Sequence, residues 1–444
     1  MSANTTTPRL AALRHRDFRL FWGGELISST GSQMQVVAIN WHVYQLLQGT
    51  TYTPTFFGHQ VSVSAGALGL GLLGLVRVFP IITFALLGGL LADRFDRRKL
   101  ILWCNIGSVA IAAVLAAITL TGHITLIALY LLTAAGIAIE AFDEPAQNSL
   151  VPQLVPREHL TNAVSLNSLI WMIGTIIGPA LAGVTIAHLA IGLVYALNAL
   201  SFVAVFGAVW ALRYRGQAGV ERSEISWRSL AEGLRFVRGT RLIWGTMLVD
   251  FYATFFSSAR TMLPIVADRV LHVGVQGYGL LATAQPVGAV STGVILSLRR
   301  DVRRQGLTML GSVAAYGLAT ALFGLSPFFA LSYLLFGLTG AGDTVSTIIR
   351  ATIRHTLTPD YVRGRMSSIH MLLADAGPQL GELEAGLVAA FLGAPFAIVT
   401  GGLATFLLTG WIAWRWAALR RYTSPLQEKA RSIAEADKEN VLNV

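Results

Sequence analysis

Long apolar segments alternate with short polar ones along all 444 residues of the chain. A helix needs ~20 residues to cross a hydrocarbon core of ~30 Å, and about twelve of the apolar runs are long enough. The predicted spans are residues 19–46, 63–91, 100–120, 124–142, 163–186, 189–212, 242–266, 276–298, 306–325, 328–349, 366–391 and 394–416. The pattern therefore predicts an all-α membrane protein.

The polar connections alternate in charge between the two sides of the predicted membrane. One set is rich in Lys and Arg: residues 92–99, 143–162, 213–241, 299–305, 350–365 and the C-terminal tail. The other set is short and, apart from Arg269, nearly free of basic residues. Because cytoplasmic loops carry an excess of positive charge, we expect a multi-pass protein of the cell (inner or plasma) membrane with both termini in the cytoplasm.

Composition supports the same class of protein. The chain is 54% hydrophobic and 13% charged, whereas a soluble chain is about 25% charged. Its net charge is +10, and since the basic residues concentrate on the predicted cytoplasmic side, the expected partner is anionic lipid and not nucleic acid. The single cysteine, Cys104, excludes a multi-cysteine metal site, and no nucleotide loop or nucleophile motif occurs. We therefore expect no metal, no cofactor and no enzymatic activity.

The longest basic connection divides the chain into two halves of six spans. The predicted segments are a cytoplasmic N-terminal segment 1–18, an N-terminal bundle 19–212, a linker 213–241, a C-terminal bundle 242–416 and a cytoplasmic tail 417–444. Within the linker, apolar residues recur at helical spacing: Trp227, Leu230, Leu234 and Val237. This stripe predicts an amphipathic helix that lies either along the membrane or on the protein's own cytoplasmic surface.

A short basic turn separates the second and third spans, in the stretch Gly88-Gly89-Leu90-Leu91-Ala92-Asp93-Arg94-Phe95-Asp96-Arg97-Arg98-Lys99. An ordinary cytoplasmic turn explains the arginines but not the spacing of Gly and Asp. The stretch resembles the loop between helices two and three of major facilitator superfamily transporters, with Asp96 where that family usually has Gly. The resemblance implies twelve transmembrane helices in two pseudo-symmetric six-helix bundles. It also implies that a cytoplasmic gate contains Gly89, Asp93, Arg94, Arg97 and Arg98.

The fifth span carries small residues along one face. Gly174, Gly178 and Gly183 make a smooth surface for close helix packing, and Pro179 removes one helical hydrogen bond. The pattern resembles the motif of the proton-antiporter, exporting branch of the same superfamily, with Ala182 in place of one Gly. Chance occurrence of glycines in membrane helices is the alternative explanation.

Several acidic residues lie within predicted spans, where a charged side chain costs ~2.5–3.5 kcal/mol and is a functional candidate by default. The candidates for proton coupling and the substrate cavity are Glu25, Asn40, Asp250, Asp343, Asp375 and Glu382. In the superfamily, spans one, four, seven and ten line the central cavity, which by resemblance favours Glu25, Asp250 and Asp343. The alternative is that some acids only pair with Arg77 or Arg260 and hold the two halves together.

A narrower resemblance extends over most of residues 15–415. The stretches that carry it include Asp143-Glu144-Pro145-Ala146, Ala259-Arg260, Gly277-Tyr278-Gly279-Leu280-Leu281, Gly340-Ala341-Gly342-Asp343, Thr358-Pro359-Asp360, Arg363-Gly364-Arg365 and Leu380-Gly381-Glu382. They resemble the enterobactin-exporter-like subgroup, also called transmembrane secretion effectors. The resemblance implies proton-driven export of a siderophore or a drug-like amphipathic molecule by alternating access.

Two alternatives stay open at the level of sequence. The same fold could serve an importer or a uniporter, or the chain could be a membrane receptor that transports nothing. The expected partners are a small-molecule substrate, protons and anionic lipid headgroups. The sequence leaves the oligomeric state open, with a monomer favoured.

Overall fold

A computed structural model describes residues 10–56, 59–60, 62–94, 96–214, 227–257, 259–298 and 302–423 of the chain. Within these ranges, the side chains of two stretches, residues 85–94 and 227–231, and those of residues 56, 59, 360, 361, 368 and 372 lie outside the described set. Three of the predicted gate residues, Gly89, Asp93 and Arg94, fall in the first of these two stretches.

The first half of the chain forms six long helices. They are α1 (Arg16–Leu47), α2 (Ala65–Arg94), α3 (Arg97–Leu120), α4 (Leu126–Leu150), α5 (Leu160–His188) and α6 (Ile191–Trp210). Short 3-10 helices precede α1 (Ala11–Arg14) and lie between α4 and α5 (Val151–Gln153 and Arg157–His159). The connection from α1 to α2 contains β1 (Thr51–Tyr52), β2 (Thr55–Phe56), β3 (His59–Gln60) and β4 (Val63–Ser64), which pair antiparallel as β1 with β4 and β2 with β3.

The second half begins with a linker helix, α7 (Trp227–Gly239). The seventh span is interrupted: α8 (Arg241–Phe256) is followed by a 3-10 helix (Ala259–Met262), the single turn α9 (Leu263–Ile265) and a π-helix (Val266–Val270). The remaining long helices are α10 (Gly274–Leu298), α11 (Gln305–Leu325), α12 (Phe329–Leu357), α13 (Asp360–Leu392) and α14 (Ala394–Arg415), and the last described helix is α15 (Ala417–Arg420).

Each of the twelve predicted spans coincides with a long helical segment. Eight of the described helices are long and apolar enough to cross a membrane by length and composition. The four other segments are α1, α8 with its following turns, α12 and α13. They carry the charged side chains Glu25, Asp250, Arg350 and Glu382, which lower their hydropathy; Glu25, Arg350 and Glu382 are buried and Asp250 is half-buried. α1, α12 and α13 are thus long enough to cross a membrane, and they differ from the eight other helices in their higher polar content.

Successive long helices run in opposite directions, so the molecule has two ends. We call the end with the α2–α3 turn and the linker the basic end, and the end with the strands Thr51–Ser64 the hairpin end. The largest group of buried apolar residues lies towards the hairpin end and includes side chains from both halves, such as Trp41 and Tyr278, whose rings stack at 5.7 Å. Burial of this apolar surface joins the two halves there.

The linker helix α7 packs on the protein. Val237 is fully buried with Ile243 of α8 and Ile369 of α13, and a Cβ on Gly233 would lie 2.9 Å from Ile369. The described part of the apolar stripe therefore lies on the protein's own surface at the basic end, the second of the two sequence-based alternatives. Trp227 and Leu230 lie among the residues whose side chains are not described.

Asp96, which departs from the family's usual Gly, is the N-cap of α3. Its side chain accepts hydrogen bonds from the backbone N–H groups of Arg98 at 3.0 Å and Lys99 at 3.4 Å. A carboxylate at this position satisfies orphan N–H groups and interacts favourably with the helix dipole. The turn is thus stabilised by this cap.

Candidate functional site

A polar network joins the two halves through α1, α2 and α13. The guanidinium of Arg77 donates to Glu382 Oε2 at 3.1 Å and to Asn40 Oδ1 at 2.8 Å. Asn40 also hydrogen-bonds the hydroxyl of Tyr278 on α10, and Arg260 lies within electrostatic range of Glu382. The sequence predicts a partner for Arg77 without naming it, and the structure identifies Glu382 and Asn40.

This network has the features of an interaction between the two bundles. Arg77 and Glu382 are 8% and 7% exposed, so both charges are removed from water and depend on each other. Breaking a buried pair by removing one partner is strongly destabilising because the other charge stays buried and unpaired. If the two halves separate at the position of this pair, Arg77 and Glu382 must each bind another partner or water.

Glycine contacts bring the two halves together at the same end. A Cβ on Gly279 of α10 would lie 2.7 Å from Gly183 Cα of α5, and a Cβ on Gly71 of α2 would lie 2.7 Å from Gly386 Cα of α13. Real Cβ atoms essentially never lie this close to another heavy atom. The helix backbones can therefore approach each other at these two crossings only because glycine has no side chain. Among the predicted glycines, Gly183 therefore lies at the contact between the halves.

Gly174 and Gly178 of α5 face α1. A Cβ on Gly174 would lie 2.5 Å from Ser29 Oγ, and one on Gly178 would lie 2.6 Å from Gln33 Cβ. Pro179 is buried next to them, and its carbonyl oxygen would lie 2.6 Å from a Cβ on Gly279. The predicted smooth face of α5 thus contacts α1 on one side and α10 on the other.

Hydrogen bonds also connect the halves at the hairpin end. Asp268 accepts from the Tyr44 hydroxyl at 2.6 Å and from Gln48 Nε2 at 3.0 Å, and Gln276 hydrogen-bonds His188. Together with the Arg77–Glu382 pair and the glycine crossings, these contacts hold this end of the molecule closed.

A group of acidic side chains lies inside the N-terminal bundle towards the basic end. Gln147 of α4 donates to Asp143 Oδ2 at 2.8 Å and also hydrogen-bonds Glu25 of α1. Glu25 Oε1 and Asp143 Oδ1 are buried and have no hydrogen-bond partner among the described residues. In that part of the chain neither carboxyl forms an ion pair. We call Glu25, Asp143 and Gln147 the acidic site.

The chemistry of the acidic site favours the protonated form of its carboxyl groups. A buried carboxylate without a counter-charge is costly, and protonation removes the cost while supplying a hydrogen-bond donor. With a rise of 1.5 Å per residue, Glu25 lies roughly 14 Å along α1 from its basic end.

A second charged network lies in the C-terminal bundle towards the basic end. Arg350 Nη2 of α12 lies 2.9 Å from Asp250 Oδ1 of α8 and 3.4 Å from Asp343 Oδ1, and it donates to Thr347 at 2.8 Å. Two of the three predicted cavity acids, Asp250 and Asp343, are thus joined through one arginine. Each is paired with the guanidinium, so both differ from Glu25, which has no cation beside it among the described residues.

The other predicted residues lie outside these networks. Asp375 is exposed on α13. Arg97 donates to the Ser149 carbonyl at 3.3 Å, and Arg98 donates to carbonyl groups at the end of α6, including Trp210 at 2.6 Å. Both arginines therefore fasten the turn to helix ends within the N-terminal bundle. A role in gating stays a prediction for all five turn residues.

Asp143, Arg350 and Arg354 are functional candidates that the pattern of apolar and charged residues places in loops. Glu140, Asp143 and Gln147 are spaced by three and four residues, which places them on one helical face, but the apolar run ends at residue 142. In the structure α4 continues through Pro145 to Leu150. Likewise Arg350 and Arg354 read as a basic loop, whereas α12 continues to Leu357 and buries both.

Comparison with known proteins identifies the family. The family described as "Transmembrane secretion effector" matches residues 7–441. An enterobactin exporter EntS of Citrobacter koseri is 27% identical over 422 residues, which cover 93% of this chain and 94% of that protein. The EntS of Shigella boydii is 26% identical over 382 residues, covering 85% of this chain and 86% of that protein.

Solved structures show the same fold at low sequence identity. A bacterial homologue of the human lysosomal transporter Spinster, in an inward-facing and unoccupied conformation, superposes with a TM-score of 0.69 at 13% identity, covering 92% of this chain and 99% of that one. The nucleoside transporter NupG gives 0.66 at 13% identity, covering 92% and 100%. The predicted fold class is thus confirmed. The chain belongs to the transmembrane secretion effector family of the major facilitator superfamily, whose members are membrane transporters and not enzymes.

Proposed function

We propose that this transporter exports a siderophore or a drug-like amphipathic molecule in exchange for protons, by alternating access. The observation that carries the proposal is the acidic site, in which Glu25 and Asp143 are buried, share Gln147 and have no cation among the described residues. Such a pair can take up and release a proton when access to water alternates between the two sides of the membrane.

The proposed substrate class rests on the relatives. The EntS proteins that match most of this chain are named enterobactin exporters, and enterobactin is the first compound to test. At about 27% identity the substrate can differ, so the proposal covers amphipathic organic molecules of similar size.

The proposed direction rests on the orientation of the basic end. Its excess of Lys and Arg favours the cytoplasmic side, and its partners there are anionic lipid headgroups. With the hairpin end closed by the Arg77–Glu382 pair and the glycine crossings, substrate would enter from the cytoplasm. The N-terminal segment and the tail would then both be cytoplasmic.

The energetics suffice for export. One proton that moves down ~100 mV supplies ~2.3 kcal/mol. At ~1.4 kcal/mol per factor of ten, this supports a roughly fiftyfold gradient of a neutral substrate. ATP is therefore not needed for useful efflux.

The test is transport by purified protein in proteoliposomes with an imposed pH gradient. We expect accumulation of enterobactin, or of a cationic or neutral dye from a panel, that an uncoupler abolishes. Glu25→Gln and Asp143→Asn should each remove the dependence on the gradient, whereas the exposed Glu158→Gln serves as the matched control.

Other outcomes identify the alternatives. Downhill flux that ignores the gradient in the wild-type protein would indicate a uniporter, and uptake in the opposite direction would indicate an importer. Binding without flux of any compound would indicate a receptor. Each of these results contradicts proton-coupled export.

A further inference from the structure

His370 of α13 lies between a cation and an anion at the basic end of the C-terminal bundle. Its Nε2 is 2.9 Å from Arg354 Nη2, and its Nδ1 is 4.0 Å from Asp250 Oδ2. A guanidinium has only donors, so Nε2 must accept the hydrogen bond from Arg354. The imidazole is therefore neutral and carries its proton on Nδ1, the nitrogen that faces Asp250.

The network around His370 is balanced only while the ring is neutral. The charged groups on the helices packed around it are Asp250 on α8 and Arg350 and Arg354 on α12, with Asp343 bound to Arg350. His355 also lies on α12, and α7 presents Glu232, which is paired with Arg365 at 2.6 Å. Two arginines and two aspartates cancel, so a proton on His370 adds one uncompensated positive charge.

The bonding of this network is also incomplete in the present conformation. Arg350 is 2% exposed and Arg354 is 5% exposed, yet Arg350 Nε, Arg350 Nη1 and Arg354 Nη1 have no hydrogen-bond partner among the described residues. Buried donors without acceptors are costly. An alternative arrangement in which these donors find acceptors would recover that free energy, and this gain would offset the cost of rearranging the network.

We propose that His370 is a second proton-binding residue of the transporter, and that its protonation releases Arg354 and draws Asp250 away from Arg350. The added proton sits on Nε2, because Nδ1 already carries one. Nε2 can then no longer accept from Arg354, and the imidazolium attracts Asp250 through Nδ1–H. The change would loosen the connection between α8, α12 and α13. The role of His370 in transport rests on the proposed proton-coupled transport, whereas the protonation chemistry of its ring does not.

The chemistry is tested without substrate. Histidine side chains labelled with ¹⁵N are observed by NMR in nanodiscs at pH 8, and His370 is assigned by the signal that His370→Gln removes. We expect a neutral ring protonated at Nδ1, and we expect Arg354→Leu to abolish this preference. A ring protonated at Nε2 in the wild-type protein, or no effect of Arg354→Leu, would overturn the proposal.

The role is tested by substrate exchange with equal pH on both sides of the proteoliposome membrane. We expect His370→Gln to flatten the dependence of the exchange rate on pH to less than about twofold, measured from about pH 4 to 8, a window extended to acid pH because Arg354 and Arg350 lie beside the ring and disfavour the imidazolium. The exposed His355→Gln should keep the wild-type profile. Equal profiles for His370→Gln and the wild type would refute the role of His370. A flattened profile together with an unchanged response of Glu25→Gln to a pH gradient would instead refute only the acidic site.

Discussion

At the scale of single residues, the acidic side chains within the spans differ in whether each is paired with a basic side chain. Glu382 is paired with Arg77, and Asp250 and Asp343 share Arg350, whereas among the described residues Glu25 and Asp143 have only Gln147 as a partner. A carboxylate with a permanent cation keeps its negative charge, and one without a cation can exchange a proton. The structure thus divides acids that look alike in the sequence into structural partners and candidates for coupling.

The Arg77–Glu382 pair gives a stability prediction. Arg77→Gln or Glu382→Gln should each destabilise the protein by about 3–5 kcal/mol, because one buried charge loses its partner. The double variant should recover about 2 kcal/mol of the summed loss. Thermal unfolding of detergent-solubilised protein measures these changes. Strictly additive single effects would show that the two side chains do not stabilise each other.

Asp96 gives a smaller and more local prediction. Asp96→Ala should cost about 1 kcal/mol, because the first N–H groups of α3 lose their acceptor, while Asp96→Asn should retain most of the stability. Asp96→Gly should lose only a few tenths of a kcal/mol. Unfolding temperatures of the three variants test the order, and an Asp96→Ala protein as stable as the wild type would contradict the cap.

The sequence shows which residues are unusual, but not which of them meet. Glu25 and Arg77 stand out because charges are rare in apolar runs, and the resemblance favours Glu25 together with Asp250 and Asp343. The partners of Arg77 lie 37 and 305 positions away in the chain, so no local pattern reveals them. Asp143 is missed because the apolar run ends at residue 142, so residues 143–162 are assigned to a cytoplasmic connection.

At the scale of elements, hydrophobic runs and loop charge suffice to predict the number and approximate limits of the long helices. They do not predict the break after Phe256, where a 3-10 turn, α9 and a π-helix replace a continuous helix. Whether this segment is broken or continuous depends on its packing against neighbouring helices. The sequence of the segment alone does not specify those neighbours. Similarly, only the burial of Val237 decides which surface α7 covers.

A substitution at Gly279 tests whether the crossing of α5 and α10 keeps the hairpin end closed. Gly279→Ala places a Cβ 2.7 Å from Gly183 Cα, so the helices must separate and the hairpin end should open more often. Gly293→Ala on the same helix is the control, since no atom lies within 4 Å of its Cβ.

Distances between spin labels at the hairpin end measure this opening. Cysteines introduced at His123 and Pro327, in a Cys104→Ser background, report one position in each half. We expect a longer-distance population in Gly279→Ala that Gly293→Ala lacks. Identical distance distributions in the two variants would mean that the crossing does not control closure.

At the scale of the whole molecule, the two ends have different chemistry. The hairpin end joins the halves by apolar burial, glycine crossings and the Arg77–Glu382 pair. Towards the basic end, each half has its own ionisable network, the acidic site in one and Asp250, Arg350 and His370 in the other. Contacts between halves close one end, and proton binding within a half would favour one state over the other.

The measurement that tests the central claim most directly is substrate-driven proton movement. Purified protein is placed in proteoliposomes that contain a pH-sensitive dye, without any imposed gradient, and an outward gradient of a transported compound is applied. We predict an opposing proton flux in the wild-type protein and none in the Glu25→Gln, Asp143→Asn double variant, although both bind the compound. Equal proton flux in the two proteins would show that the acidic site does not couple protons to transport.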